Sequence, residues 1–431
     1  MSEWQEDSLG KLATVEIGGT PSREVAKYWA RDEQDGHLWV SIADLGPRVV
    51  VSTKEQITQL GIRFSNVKLV PEGSLIMSFK LTIGRAGIAG TDLYTNEAIA
   101  AIVPHNRRID AAFLYYVLPP AARCAITDNA VKGVTLNKQK LRDLLIRFPQ
   151  RLAEQQRIAE ILSTIDQAIE KTEALIHKYQ QIKTGLMHDL FTRGLTADGK
   201  LRPPREQAPE LYQETPIGWI PKEWHWGVLS KYLNGAPKNG YSPREIEEWE
   251  GCTALGLGCL TSSGFKAVQL KSVSLNTALT SGALLEDGDF LVSRANTPQL
   301  VGLCGVYQDI GSPCIYPDLM MRIRPNELIH VKYLEQFLLS AEVRIRLTAL
   351  AVGTSVSMVK LNSKSLMNFL IAVPEKEEQE LMICRFEKII HFLNRLGDDL
   401  AKLKQQKSGL MHDLLTGKVP VTIDPAEPAH V

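Results

Sequence analysis

The run Gly185-Leu186-Met187-His188-Asp189-Leu190 returns 224 positions later as Gly409-Leu410-Met411-His412-Asp413-Leu414. The residues ahead of each copy keep that offset and a single heptad phase. Ile158, Leu162, Ile165, Ile169, Thr172, Ile176 and Tyr179 lead to Leu186 and Leu190. Met382, Phe386, Ile389, Leu393, Leu396, Leu400 and Leu403 lead to Leu410 and Leu414. Alternating steps of three and four place each set on one seam of a long helix. The chain therefore reads as a tandem duplication, each half ending in a coiled-coil-grade helix, and a repeat of this kind constrains the architecture before any single motif does.

Six stretches follow. A mixed domain at 1–150 holds short β-type runs broken by glycine turns. A helix occupies 151–194 and spans roughly 60 Å at about 1.5 Å per residue. Pro203, Pro204, Pro209, Pro216 and Pro221 make 195–222 a linker in which neither helix nor central strand fits. A second mixed domain follows at 223–374, a second helix at 375–418 and a loose tail at 419–431. The proline-rich return predicts that the helices lie antiparallel on each other, with the mixed domains at opposite ends of a rod. The fold class expected is α+β with a pseudo-twofold internal repeat. The alternative is that each helix packs on its own domain. The mixed domains also share anchors: Glu3-Trp4 with Glu223-Trp224, Ile17-Gly18-Gly19-Thr20-Pro21 with Leu233-Asn234-Gly235-Ala236-Pro237, and Val70–Ser78 with Leu285–Ser293. Their interiors differ, as expected of one scaffold that reads two ligands.

Several chemistries are excluded or disfavoured. There is no Gly-x-x-x-x-Gly-Lys-[Ser/Thr] phosphate loop, no strand-borne Gly-x-Gly-x-x-Gly and no Asn-Pro-Pro-aromatic methyltransferase motif. Pro317-Asp318 lacks the acidic-x-Lys that a nuclease needs. His188-Asp189 and His412-Asp413 sit at helix C-termini, where histidine complements the dipole, without the further ligands of a metal phosphohydrolase. Cys252, Cys259, Cys304 and Cys314 are spaced too widely for an ordinary zinc site and read as buried thiols. The six cysteines, the polar N-terminus and the lack of a long apolar run predict a cytoplasmic protein with no membrane span. Forty-nine basic and 49 acidic residues cancel. A DNA-binding chain with this balance needs a locally basic face or partners that supply charge.

What remains is polar recognition chemistry on glycine-rich loops. In the first domain the candidates are Thr20, Ser22 and Arg23; Lys80, Thr82, Arg85 and Asn96; and Lys132, Thr135 and Lys138. In the second they are Lys238, Asn239, Tyr241 and Arg244; Arg294, Asn296 and Gln299; and Thr354, Ser355, Ser357 and Lys360. Arg, Lys, Asn and Gln can address base edges, while Ser, Thr and backbone amides hold phosphates. Leu186, Met187 and Leu190, with Leu410, Met411 and Leu414, are the candidates for two equivalent partner-docking sites. No catalytic, cofactor-binding or metal-binding residue is assigned.

Phe148-Pro149-Gln150-Arg151-Leu152-Ala153-Glu154-Gln155-Gln156-Arg157-Ile158-Ala159-Glu160-Ile161-Leu162, the two Gly-Leu-Met-His-Asp-Leu runs, Gly18-Gly19-Thr20-Pro21-Ser22 and Thr82-Ile83-Gly84-Arg85-Ala86-Gly87-Ile88 together resemble the specificity subunit of type I restriction-modification systems. The resemblance covers nearly the whole chain. Its second domain departs from the pattern, with Asn234-Gly235-Ala236-Pro237-Lys238 where Gly-Thr-Pro-Ser is expected. The resemblance implies two target recognition domains, each reading half of a split double-stranded DNA site. It implies helices that set the spacer and dock two methyltransferase subunits, with two motor-nuclease subunits joining them. S-adenosylmethionine then belongs to the methyltransferase, and ATP and magnesium to the motor. The competing classes are a stand-alone methyltransferase or nuclease and a coiled-coil structural protein without DNA affinity.

Overall fold

A computed structural model describes residues 3–30, 36–105, 108–127, 136–355 and 358–423. The apolar seams become two continuous helices, Leu152–Thr192 and Lys376–Leu415. The chain divides into two compact units, and both helices contribute to both. One unit is Met1–Ala174 with Gly397–Val431; the other is Leu175–Leu396.

The first unit is built on a five-stranded sheet in the order Ala13–Ile17, Ile99–Pro104, Leu75–Ser78, Ala86–Ala89 and Val49–Val50. A four-stranded sheet runs Glu55–Ile57, His37–Val40, Leu93–Thr95 and Leu69–Val70. Leu9, Leu12, Phe113, Leu114 and Phe148 form its main core together with Ile158, Ala159, Leu162 and Leu414 of the two helices. The second unit has a four-stranded sheet in the order Lys238–Asn239, Met320–Ile323, Phe290–Ser293 and Cys304–Val306. Its core combines Trp224, Phe290, Tyr333 and Phe337 with Leu190, Phe191, Met382 and Phe386 from the helices.

Within each unit the helices run antiparallel. Lys407 reaches Asp166 at 2.6 Å and Lys404 reaches Glu173 at 2.7 Å in the first unit. In the second, Tyr179 meets Phe392 with ring centroids 4.5 Å apart, and Phe191 meets Phe386 at 5.4 Å. The two alternatives for the helices are thus not exclusive: their middles pack on each other and their ends pack on a domain.

One buried side chain joins helix to domain in both units. Gln155 donates to the carbonyls of Pro149 (2.9 Å) and Arg108 (3.0 Å) and accepts from the Asp110 amide (2.8 Å). Its counterpart, Gln379, donates to Pro374 (2.9 Å) and Leu328 (3.1 Å) and accepts from the His330 amide (2.7 Å). Both are fully buried. The residue before each is an acid whose surroundings differ. Glu378 takes both guanidinium nitrogens of Arg202 (2.6 and 2.9 Å), the Trp224 indole N–H (3.1 Å) and the Leu195 amide (2.7 Å). Glu154 is also buried, and its Oε2 has no hydrogen-bond partner among the described residues.

The segment read as a plain linker is folded. Tyr212–Thr215 pairs with Gly218–Pro221 as a hairpin, and Leu195, Ala208, Tyr212 and Ile220 are buried. Prolines at a strand end and in turns are compatible with an isolated two-stranded ribbon, and Arg202 of this segment is held by the ion pair to Glu378. Among the described residues, no helix is long and apolar enough to cross a membrane.

Arg202 is 5% exposed and Glu378 11%, so Arg202→Ala would leave a carboxylate buried and uncompensated. We expect it to destabilise the second unit by about 3–5 kcal/mol, measured by chemical denaturation. Adding Glu378→Gln should recover much of the loss; no recovery would mean that the arginine acts mainly through packing.

Candidate nucleic-acid interface

The polar loops of both units are held by the same set of contacts. In the first unit the Gly18 amide donates to the Ile99 carbonyl (3.2 Å) and the Gly19 amide to Thr95 (2.8 Å). The Thr20 hydroxyl then donates to Glu97. In the second, the Gly240 amide donates to Met320 (3.2 Å), the Tyr241 amide to Tyr316 (2.9 Å), and the Ser242 hydroxyl to Asp318 at 2.5 Å. A side chain at the first glycine of either loop would collide with backbone. A Cβ on Gly18 would lie 2.1 Å from the Thr95 carbonyl oxygen, and one on Gly240 would lie 2.1 Å from that of Tyr316.

This corrects the alignment of the halves. The counterpart of Gly18-Gly19-Thr20-Pro21 is Gly240-Tyr241-Ser242-Pro243, not Asn234-Gly235-Ala236-Pro237. The extra residues precede the loop, so similarity of composition misassigns it. Glu97 and Asp318, which close the two loops, were not among the residues expected. The tripeptides ahead of them, Tyr94-Thr95-Asn96 and Ile315-Tyr316-Pro317, share no residue position for position, so the sequence carries no motif for them, and an acid does not stand out in a search for phosphate ligands.

The first unit gathers its candidates around Glu97. The Thr20 hydroxyl, with the Lys80 and Arg23 charges behind it, holds the Glu97 carboxyl below its ordinary range. Arg23 forms a two-pronged pair with Glu55 and lies 3.8 Å over the Trp29 ring. Asn96 spends its carbonyl on the Ala98 amide at 3.0 Å. Ser22, Lys80, Thr82 and Arg85 are exposed. Lys138 is not with this group: it shares Glu16 with Lys68, at 2.9 Å. Lys132 and Thr135 lie outside the described residues.

In the second unit Asp318 ties two clusters together. It accepts from Ser242, and its carbonyl accepts from Arg294 at 3.3 Å. Ala295–Asn296 then pairs with Met358–Lys360, which brings Lys360 opposite Ala295. Lys238, Asn239, Tyr241, Arg244, Gln299 and Lys360 are exposed. Asn296 is a correction: it is 9% exposed and bonded to the Thr297 amide and to Ser293, so it shapes a turn instead of facing a ligand. Thr354 and Ser355 lie on the strand Val352–Ser355, and Ser357 lies outside the described residues.

The six docking candidates are corrected too. Leu190 and Leu414 are 0% and 4% exposed, and Leu186, Met187, Leu410 and Met411 pack against their own unit's core. The repeated hexad turns its apolar side toward the domain because the helix ends there. Cys252, Cys259, Cys304 and Cys314 are buried, and burial pushes the Cys314 thiol up to about 11. Among the described residues no cluster of His, Cys, Asp or Glu could hold a metal.

Residues 1–179 match the model of the type I restriction modification DNA specificity domain. The chain is 25% identical over 385 residues to the type I restriction enzyme MjaVIII specificity subunit of Methanocaldococcus jannaschii, covering 86% of this chain and 82% of that one. It is 21% identical over 266 residues to the EcoKI specificity subunit of Escherichia coli K12, covering 61% of this chain and 54% of the relative. Its fold matches the crystal structure of a type I restriction-modification S subunit from M. genitalium with a TM-score of 0.57 at 14% identity, over 98% of this chain and 97% of the other. A chain from a structural study of type I system assembly and conformational transition matches with a TM-score of 0.53 at 15% identity, over 96% and 98% of the two chains.

Gly18→Ala and Gly240→Ala should each cost their own unit about 1–3 kcal/mol or more, because the added carbon meets backbone that cannot move aside. Gly185→Ala and Gly409→Ala, which have open space in a helix, should instead stabilise by about 0.5–1 kcal/mol. Denaturant midpoints would reveal both signs; equal effects at all four glycines would contradict the clasp geometry.

Proposed function

Because this chain belongs to the family of type I restriction-modification specificity subunits, we propose that each of its units reads one half of a bipartite DNA site through the clasped loop and the exposed polar residues beside it. The observation that carries this is the duplicated clasp. The backbone contacts are the same at Gly18–Thr20 and Gly240–Ser242, while the side chains they present differ. A fixed frame with variable contacts is what two independent readers require, since phosphate contacts position and base contacts specify. The residues proposed to meet DNA are Ser22, Lys80, Thr82 and Arg85 in the first unit and Lys238, Asn239, Tyr241, Arg244, Gln299 and Lys360 in the second. Thr20, Arg23 and Arg294 support them from within their own hydrogen-bond networks.

The partners proposed are two methyltransferase subunits and two motor-nuclease subunits. S-adenosylmethionine is assigned to the former, and ATP with magnesium to the latter. The docking surface is assigned to outward faces of the helices, since Leu190 and Leu414 of the repeated hexads are buried in their own units. A groove of about 410 Å³ lined by Ile161, Thr164, Ala168, Leu403 and one edge of Leu410 supports this in the first unit. The zero net charge is consistent with partners that supply part of the DNA clamp.

The test is the pattern of methylated adenines across a genome when the chain is expressed with its methyltransferase. Replacing residues 10–145 by the matching domain of a relative should change one half-sequence and leave the other intact. Changes in both halves would sink the proposal of independent readers.

The helices supply a second outcome in the same experiment. Four residues inserted after Thr172 would lengthen that helix by about 6 Å, against about 3.4 Å per base pair. The spacer should grow by about one pair, with two as the upper limit, and both half-sequences should be kept. An unchanged spacer with altered halves would mean that the helices do not act as a ruler.

A further inference from the structure

Leu81 is the sole non-glycine residue at positive φ among the described residues, with φ of 60°. Leucine seldom occupies this left-handed region, because its Cβ crowds the following carbonyl. Its side chain is 91% exposed. An apolar side chain held in water on an unfavourable backbone gains nothing for the fold of this unit.

The loop that presents it is rigidly built. The Ser78 amide donates to the Arg85 carbonyl (2.8 Å) and the Gly84 amide to the Ser78 carbonyl (2.9 Å). The Ser78 hydroxyl, fully buried, accepts from the Arg85 amide at 3.1 Å and donates to the Thr82 carbonyl. Ile83 packs into the main core of the unit, which anchors the loop from below and leaves Leu81 as its tip. The tip stands among cations. Lys80 and Arg85 are exposed on the same loop, and Arg123 reaches the Gly84 carbonyl at 3.4 Å. Glu97, whose carboxylate senses Lys80, is already engaged by Thr20. The matching hairpin of the second unit lacks this arrangement: its Leu300 is 44% exposed and lines a cavity with Leu257, Leu260 and Leu303.

We propose that Leu81 is an intercalating wedge, entering between two stacked base pairs of the half-site read by the first unit while the surrounding cations hold the flanking phosphates. The occupant is double-stranded DNA by charge complementarity, and the inference rests on the function proposed above. Apolar wedges on rigid, cation-flanked elements unstack a base step and bend the duplex. A tip already fixed in its presented conformation loses little entropy on insertion. The wedge makes the first half-site sensitive to the stacking strength of a step that no polar group contacts.

The test uses the full chain assembled with its methyltransferase subunits on duplexes carrying 2-aminopurine at successive positions of the half-site. Wild type should raise fluorescence at one step distinct from the methylated adenine. Leu81→Gly should lose that signal and weaken specific binding about tenfold to a hundredfold, the range that corresponds to burying one leucine. Leu81→Met should retain the signal. Leu81→Gly also relieves the backbone, so its melting temperature should equal or exceed wild type, which separates loss of contact from loss of fold. Unchanged affinity and fluorescence in Leu81→Gly would overturn the wedge and leave the proposed function standing. Weakened binding without any unstacking signal in wild type would make Leu81 a groove contact and overturn it too. Weakened methyltransferase binding in the absence of DNA would reassign the tip to a protein interface. A wild-type complex that fails to distinguish its site from a random duplex would overturn the wedge and the proposed function together.

Discussion

In each unit one buried amide closes the junction between the domain and the helix that follows it. Gln155 and Gln379 each satisfy one backbone N–H and two carbonyls at the place where the domain's last strand turns into a helix. Buried backbone groups at such a junction cannot reach water, and leaving one unpaired costs about 1–3 kcal/mol. The glutamine side chain supplies two donors and a carbonyl oxygen, so it closes the junction without charge. Everything further out is positioned from this point: the first turn of the helix, the edge pairing of Trp4–Ser8 with Leu145–Pro149 or of His225–Val228 with Leu370–Val373, and the sheet that carries the clasped loop.

The two halves diverge where the chain stops repeating. Glu378 has an arginine because the segment after the first helix folds back and delivers Arg202 to it. Glu154 instead keeps an oxygen without a hydrogen-bond partner among the described residues. The duplication has thus preserved a buried acid in both units, and among the described residues an arginine meets the one in the second unit. The middle of the seam diverges in a similar way. Phe392 fills space against Tyr179, whereas at the corresponding place in the first unit Ala168 and Leu403 leave a groove.

The helices are legible in the sequence because a seam is a periodic demand: every third or fourth residue must be apolar, and Ile158 through Leu190 obey it except at Thr172 and Lys183. The antiparallel pairing follows from the return of the chain. The candidate site is legible only in part. Gly18-Gly19-Thr20-Pro21 stands out, yet its partner loop, Gly240-Tyr241-Ser242-Pro243, does not, because the frame is set by backbone contacts that Tyr241 makes as well as a glycine does. Glu97 and Asp318 are hidden for a related reason: their role is to hold a hydroxyl, and each sits in a short turn between two strands, where an acid reads as ordinary solvated polarity. Asn296, Leu186 and Leu410 have side chains suited to a ligand or a partner and use them on their own unit. Composition cannot tell an outward residue from an inward one when both would be chemically sensible.

The division of the chain between units also governs the order in which they can form. The second unit is one unbroken stretch, Leu175–Leu396, whereas the first is assembled from both ends of the chain. During synthesis at about 5–20 residues per second, the first mixed domain emerges early but must wait for Leu410, Met411 and Leu414, which complete its core, until the whole of the second unit has been made. The second unit finds all its core residues within a contiguous segment and can close earlier. A nascent chain that has not yet reached Leu410 therefore exposes the apolar floor of the first domain while the second unit already holds all of its own core.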